Sequence, residues 1–367
     1  MKKIIISIIF ILVISSINFV SAEKIENNLE KSSLPAYFNW RDIDEVDYCT
    51  EIKDQSPAPT CEAYALVASL ETKMQYQLQE LYDPDLSEAH LYFYPGGTIE
   101  QGYVHIEDAA QYLVDYGVPD EGCFPDPHRN FDTPFESLEG WEERTIKIQD
   151  WGWIELTAES IKSALIEYGP LPFCIRFPQN FYNYYGGVFK YKGEDMVGGH
   201  VVTIVGYDDS KECWIIKNSW GTKWGEDGWC RISYDSEEMI AQWYGPGTGV
   251  MYLDGLCGNF KPDVPKIKIS KPTIKHTYIF GIELPIIFKK LNIQAAAPRI
   301  FGGMRLKVDA ENTNKVEFYV DGELTHTDDE APFNWWLKQP KGLHTIEAFA
   351  YNDTNISKAI VDIYSFF

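Results

Sequence analysis

The sequence predicts an α+β domain of about 225 residues followed by an all-β domain of about 100. Three observations carry this. Helical and strand patterns are mixed through the first two thirds of the chain. Near residue 260 the character changes, and Lys261-Pro262-Asp263-Val264-Pro265 reads as a linker. Beyond it, short strand patterns recur with turn signals and without a helical stretch, which suggests a β-sandwich. A chain of 367 residues that is 45% hydrophobic and 15% aromatic can fill two cores and is too apolar to be intrinsically disordered.

The elements follow in order. Lys2 and Lys3 precede an apolar run from Ile4 to Val20, then Ser21, Ala22 and Glu23. This reads as a secretory signal over residues 1–22, cut after Ala22; an uncleaved anchor is the alternative, since the run is near the lower limit for a membrane span. Residues 23–33 form a polar leader. Either way the body of the chain is expected outside the cytoplasm, secreted or at a cell surface, and no later stretch could span a membrane. The first domain covers residues 34–260. In it, Cys61 to Leu81 is helical, with Ala63, Tyr64, Val67, Leu70, Met74 and Leu78 on one apolar face. Ile106 to Tyr116 is a second helix, stopped by Gly117 and Pro119. Ser160 to Tyr168 is a third, stopped by Gly169 and Pro170. Strands then dominate: Leu171–Phe177, Gly187–Tyr191, His200–Tyr207, Cys213–Lys217 and Trp229–Tyr234. In the second domain, residues 264–367, Val316–Val320 alternates ahead of the hairpin signal Asp321-Gly322, and Leu343–Tyr351 and Ala359–Tyr364 complete the strand pattern.

The charge is strongly acidic, 32 Lys and Arg against 55 Asp and Glu, a formal −23, which argues against nucleic acid as a partner. Seven cysteines occur, Cys49, Cys61, Cys123, Cys174, Cys213, Cys230 and Cys257, with no CxxC, so a zinc ribbon and a thioredoxin motif are excluded. In an exported chain six could pair and one remain, but Cys174, Cys213 and Cys230 lie in predicted strands and read as buried free thiols. His90, His105, His128, His276, His326 and His344 show no metal-ligand spacing and are expected at the surface. Asp208-Asp209 and Thr327–Glu330 are expected to be solvated turns, because neither has the spacing of a calcium loop. Asn352-Asp-Thr354 and Asn355-Ile-Ser357 are glycosylation sequons on an expected exposed turn.

Four residues form a chemical constellation. If the turn after His200–Tyr207 centres on Asp209, cross-strand partners sum to 418, and His200 lies directly opposite Asn218 on the same face. The Asn218 amide oxygen then accepts from one imidazole nitrogen and leaves the other for a nucleophile. Cys61 opens the long helix, with Thr60 as its N-cap, so the helix N-terminus favours a thiolate there. Gln55, in the loop leading to that turn, could donate to an oxyanion beside the Cys61 N–H.

These residues stand in motifs: Asn39-Trp40-Arg41-Asp42, Lys53-Asp54-Gln55, Cys61, Gly199-His200-Val201, Lys217-Asn218-Ser219-Trp220-Gly221 and Trp224-Gly225-Glu226-Asp227-Gly228. Together they resemble the papain family of cysteine peptidases over about residues 34–260, with His200 and Asn218 lying 139 and 157 residues after Cys61. The resemblance implies a two-lobe papain-like fold, one lobe helical and one β, with Cys61 and His200 facing each other across a cleft. It implies that Trp220 shields the His200–Asn218 hydrogen bond, that the substrates are proteins or peptides, and that no cofactor is needed. The chain departs from the family pattern at Ser56, Pro57, Ala58 and Pro59 before the nucleophile. It departs again at Glu62 after it, where a carboxylate should disfavour the thiolate. With the leader so short, no folded inhibitory propeptide is expected. The stretches Lys315–Gly322, Ala331–Trp335 and Gly342–Ile346 resemble immunoglobulin-like domains of secreted prokaryotic proteins, which implies a tail that holds the enzyme on a cell surface or polymer. Exposed Trp335 or Trp336 would favour binding by that tail; the expectation is that they pack inward.

The reading that follows is a secreted or surface-attached cysteine endopeptidase using Gln55, Cys61, His200 and Asn218. The alternatives are a catalytically weak scaffold used for binding or adhesion, motivated by the Ser56–Glu62 loop, and a thiol acyltransferase or amidase on the same fold.

Overall fold

The structure is a computed structural model that describes residues 34–78, 84–98, 100–125, 137–258, 264–273, 276–285, 297–353 and 355–366. The signal, the leader, the first part of the linker, His128 and Thr354 lie outside the described residues. The chain has a mixed α+β region up to Gly258 and a separate, mostly β region from Val264. Among the described residues no helix is long and apolar enough to cross a membrane.

The α+β region is organised around one strand, Met196–Asp208. One of its edges carries Leu171–Pro178 along residues 196–204 and Tyr37–Asn39 along 206–208. Its other edge pairs with Cys213–Lys217, but only over Thr203–Asp208. From His200 onward the strand is buried on both faces. That explains its unbroken apolar run, which is the signature of a central strand rather than a half-exposed one. On one face it meets the helix Cys61–Leu78, where Val201 and Cys174 join a core of Leu66, Leu70 and Met74. On the other face Val202, Ile204 and Tyr207 join a second core with Ile161, Leu165 and Trp214.

The Cys61–Leu78 helix differs from its expected amphipathic character. It is buried all round from Glu62 to Met74, polar residues included. The polar ones are satisfied from neighbouring elements: the Ser69 hydroxyl donates to the Pro170 carbonyl, and Lys73 donates to the Leu253 carbonyl. Glu71 accepts from Thr50, from Lys53 and from the Leu86 amide. A helix threaded between two layers has no solvent face, so its apolar periodicity is blurred. The helices Ile106–Asp115 and Ala158–Tyr168 fall where the sequence places them. The second is capped by Thr157, whose hydroxyl accepts from the Ser160 amide.

Among the described residues the C-terminal region has two sheets. Lys266–Lys271, Met304–Glu311 and Asn334–Leu337 form a three-stranded sheet; seven strands, among them Lys315–Val320, Gly342–Tyr351 and Ile356–Ser365, form the other. Met304, Leu306 and Val308 from the first and Val316, Phe318, Ile346 and Ile363 from the second share one apolar core. The Asp321-Gly322 turn forms as expected, with φ +51° and +82°, the left-handed pair that a tight hairpin requires. Trp335 packs partly into this core, while Trp336 is 55% exposed, so the expectation of two inward tryptophans holds only for the first.

Among the described residues the two regions meet around Arg144. Arg144 pairs with Asp120 and donates to the Ile356 carbonyl (2.6 Å) and the Ser357 hydroxyl (3.1 Å), while the Lys358 amide donates to the Gly122 carbonyl. Ser357 is fully buried, although Asp353 and Ile356 beside it are exposed and Asn355 is half-buried, so the expected exposed turn holds for only part of the second sequon. All seven cysteines are unpaired, so the parity argument for three bridges fails. Cys174, Cys213 and Cys230 are indeed buried thiols in strands. His90 is not a surface residue: it is fully buried among Tyr94, Phe124 and Trp141, and burial lowers its pKa to about 3. Its short helix, Glu88–Phe93, carries too few residues to show a period, so its inward face was not legible. Nor is Asp208 solvated: it is buried and accepts from Ser210 and Lys211, while Asp209 accepts from Lys162 and Tyr234.

Candidate active site

Asn218 and His200 meet, but not as directly opposed strand partners. Beside the turn the partners sum to 421, and after a bulge between Ile204 and Gly206 they sum to 420, as in Thr203 opposite Lys217. The extra residues of a three-residue shift and a bulge are not visible in a hydrophobic pattern. The ladder ends at Lys217. Asn218 then leaves the strand, its amide donating to the Gly228 carbonyl, and its Oδ1 comes within 2.7 Å of His200 Nε2. The same oxygen accepts from the Ser219 amide at 2.8 Å. Both side chains are 3% exposed. A bond from Nε2–H to Oδ1 leaves His200 Nδ1 as the free base. Burial pushes the imidazole pKa down to about 4, while the bond to Asn218 acts to raise it.

Trp220 stacks on His200 with ring centroids 4.5 Å apart and an interplanar angle of 24°, as the motif implied. Tyr182 stacks in turn on Trp220, and Phe177 meets the edge of both rings. Neither Tyr182 nor Phe177 was singled out from the sequence; they belong to a motif-poor stretch, and only the fold brings them to the imidazole. On the other side the exposed Trp243 lies over the backbone of Gly199, so close that a Cβ there would sit 2.6 Å from the indole ring.

Cys61 is the first residue of its helix and is half-buried. One bond attaches that helix turn to the His200 strand, from the Thr203 hydroxyl to the Ala65 carbonyl, and the Val201 amide of the same strand faces the Cys61 sulfur. The Thr60 carbonyl accepts from Tyr64, as an N-cap residue's does, but its hydroxyl is buried without a partner and does not cap the helix. Instead, the Cys61 thiol lies 3.5 Å from the Glu62 carboxylate. Burial, and then the Glu62 charge, push the Cys61 pKa well above its usual value.

Gln55 is buried and is bolted to the Asn218 segment. Its amide donates to the Ser219 carbonyl, its Oε1 accepts from the Ser219 hydroxyl at 2.6 Å, and one Nε2 hydrogen goes to the Ala58 carbonyl at 2.9 Å. The second Nε2 hydrogen remains for a substrate oxygen. Ser219 was visible in the motif, but its part in orienting Gln55 was not.

Comparison with known proteins agrees with these motifs. The family model for papain family cysteine proteases matches residues 34–244. Fruit bromelain of Ananas comosus is 26% identical over 244 residues, covering 62% of this chain and 59% of that protein. The senescence-specific cysteine protease SAG12 of Arabidopsis thaliana is 28% identical over 259 residues, covering 67% of this chain and 64% of its own length. The chain thus spans less than two thirds of either relative. The solved structure of the bromelain protease from Ananas comosus in complex with the E64 inhibitor has 25% identity and a TM-score of 0.49, covering 60% of this chain and 99% of that one.

Proposed function

The chain belongs to the papain family of cysteine proteases, and we propose that it is a secreted or surface-attached endopeptidase that cleaves peptide bonds through Cys61, His200, Asn218 and Gln55. The observation that carries this reading is the 2.7 Å bond between His200 Nε2 and Asn218 Oδ1 under Trp220, which reserves Nδ1 for a thiol. With the thiol pKa raised and the imidazole pKa lowered, the resting pair is neutral at pH 7. Attack therefore couples to proton transfer. As Cys61 Sγ bonds to the scissile carbonyl carbon, its proton passes to His200 Nδ1. The carbonyl oxygen becomes an oxyanion held by the Cys61 N–H and Gln55 Nε2. Collapse breaks the C–N bond, and His200 gives its proton to the leaving amine. Water then adds to the thioester, with His200 as base, and releases the acid and the thiol. This sequence asks for no cofactor.

The apolar run before residue 23 supports export, and the two C-terminal sheets with a shared core support an immunoglobulin-like module that attaches the enzyme to a surface or polymer. The exposed Trp336 gives such a module a contact side chain. A binding scaffold with weak catalysis is the second reading, favoured by the Cys61–Glu62 contact. Incubation with a peptidyl thiol-directed inhibitor under reducing conditions, followed by intact-mass and peptide mapping, separates them. The endopeptidase labels at Cys61 and cleaves within peptides of a library. Absence of labelling at any pH from 5 to 8 rejects it, and labelling without cleavage moves the reading to an acyltransferase.

A further inference from the structure

We propose that Glu62 is a positioning residue that gates Cys61: its carboxylate, when ionised, holds the thiol as a protonated donor, and when protonated releases that thiol to His200. The inference rests on Cys61 being the nucleophile and adds a control on it.

The geometry comes first. Glu62 follows Cys61 in the first helical turn, yet its side chain turns inward and is 8% exposed. Its Oε2 stands 3.5 Å from Cys61 Sγ, within reach of a weak S–H donor. The thiol has one proton. While that proton points to the carboxylate, it does not point to His200 Nδ1, and transfer to the imidazole requires it to leave Glu62. Formation of the thiolate beside an ionised Glu62 also places two negative charges in one buried turn.

The surroundings do not neutralise Glu62. The ionisable groups that face it are Cys61 on its own helix, Tyr92 on the helix Glu88–Phe93, Cys174 on the strand Leu171–Pro178 and Tyr244 on the segment before Met251, with Glu107 of the helix Ile106–Asp115 beyond them. His200 lies on the strand whose Val201 amide faces the Cys61 sulfur. Among the described residues, none of the groups facing the carboxylate is a lysine or arginine. Burial accordingly raises the Glu62 pKa from 4.5 to about 7. Below that pH the carboxyl is neutral and carries a proton it can donate to sulfur. The same residue then changes from a competitor for the thiol proton to a donor that supports the thiolate. Above that pH the restraint returns. The helix N-terminus, which would otherwise favour the thiolate, is offset by the residue next to it.

The test is the rate of iodoacetamide alkylation of Cys61, followed by peptide mass, for the full chain and for Glu62→Gln between pH 5.5 and 8.5. The variant and the natural chain should react alike at pH 5.5. By pH 8 the variant should react about tenfold faster, the effect of one pKa unit of like-charge repulsion. Glu62→Ala, which lacks the donor, should react more slowly than the natural chain at pH 5.5 but show the same rise of the ratio with pH, which covers a failure of Glu62→Gln to fold. A ratio that stays flat across the range overturns the gate, whether or not the chain cleaves peptides. A ratio that rises while no peptide is cleaved by either protein keeps the gate and rejects the peptidase reading, so the two failures are distinguishable.

Discussion

Replacing Asn218 by alanine tests the centre of the proposed mechanism. Asn218 Oδ1 accepts from His200 Nε2 at 2.7 Å and from the Ser219 amide at 2.8 Å, in a site where both His200 and Asn218 are 3% exposed. Water cannot readily replace the lost acceptor beneath Trp220, which covers the ring. In the resting enzyme the bond is neutral and contributes about 0.5–1.5 kcal/mol; once His200 takes the thiol proton it becomes charge-assisted and contributes about 1.5–3 kcal/mol. The difference of about 1–1.5 kcal/mol acts on the transition state only, and so on kcat. A second loss arises because nothing then reserves Nδ1 as the base, and the opposite tautomer is inert. Together these give a fall in kcat/KM of about 10- to 100-fold, most of it in kcat. The assay is steady-state cleavage of a fluorogenic peptide, with thermal unfolding measured on the same samples. A loss smaller than threefold, or one confined to KM, would refute the reasoning. So would a loss that tracks partial unfolding, since the orphaned Ser219 amide alone predicts a modest drop in Tm.

Three further outcomes follow from other parts of the molecule. Gln55→Ala should lower kcat about 100- to 1,000-fold with little change in KM, as expected for removal of an oxyanion donor; an equal loss of inhibitor binding and turnover would instead mark Gln55 as structural. Glu62 also has a stability signature. Because its folded pKa is raised, the penalty is absent below about pH 4.5 and complete above about pH 7, so Glu62→Gln should be no more stable than the natural chain at low pH and about 3 kcal/mol more stable at pH 8. Urea unfolding at both pH values measures this, and a difference that does not grow with pH contradicts the buried carboxyl. Arg144→Ala removes the donors to Ile356 and Ser357, and amide exchange at Lys358 should quicken with the peptidase activity unchanged; exchange at the natural rate means the two regions are held together elsewhere.

The chemistry of the site was legible in the sequence because papain-like motifs are local. Cys61, His200, Asn218, Gln55 and Trp220 each sit in a short recognisable string, and their order along the chain identifies the family without coordinates. Hydrophobic period likewise located the helices Ile106–Asp115 and Ala158–Tyr168, because each has a solvent face and a Gly just past its C-terminal end, Gly117 and Gly169. The alternation of Lys315–Val320 ahead of Asp321-Gly322 set out a hairpin for the same reason: one face is wet, and the turn needs two positive φ angles. What the sequence by itself determined is therefore the family and the order of the elements, and it named the groups proposed to react.

The tertiary structure decided how those groups are held. The register of Met196–Asp208 against Cys213–Lys217 depends on a bulge and on a strand buried on both faces, where an apolar run carries no phase. The burial of His90 and the inward turn of Glu62 depend on which helix faces meet other layers, and a helix enclosed on every side leaves no polar stripe to read. The bond of Ser357 to Arg144 joins residues more than two hundred positions apart. Local sequence encodes what a segment is; its neighbours across space, which set desolvation, hydrogen-bond partners and pKa, follow only from how the segments pack.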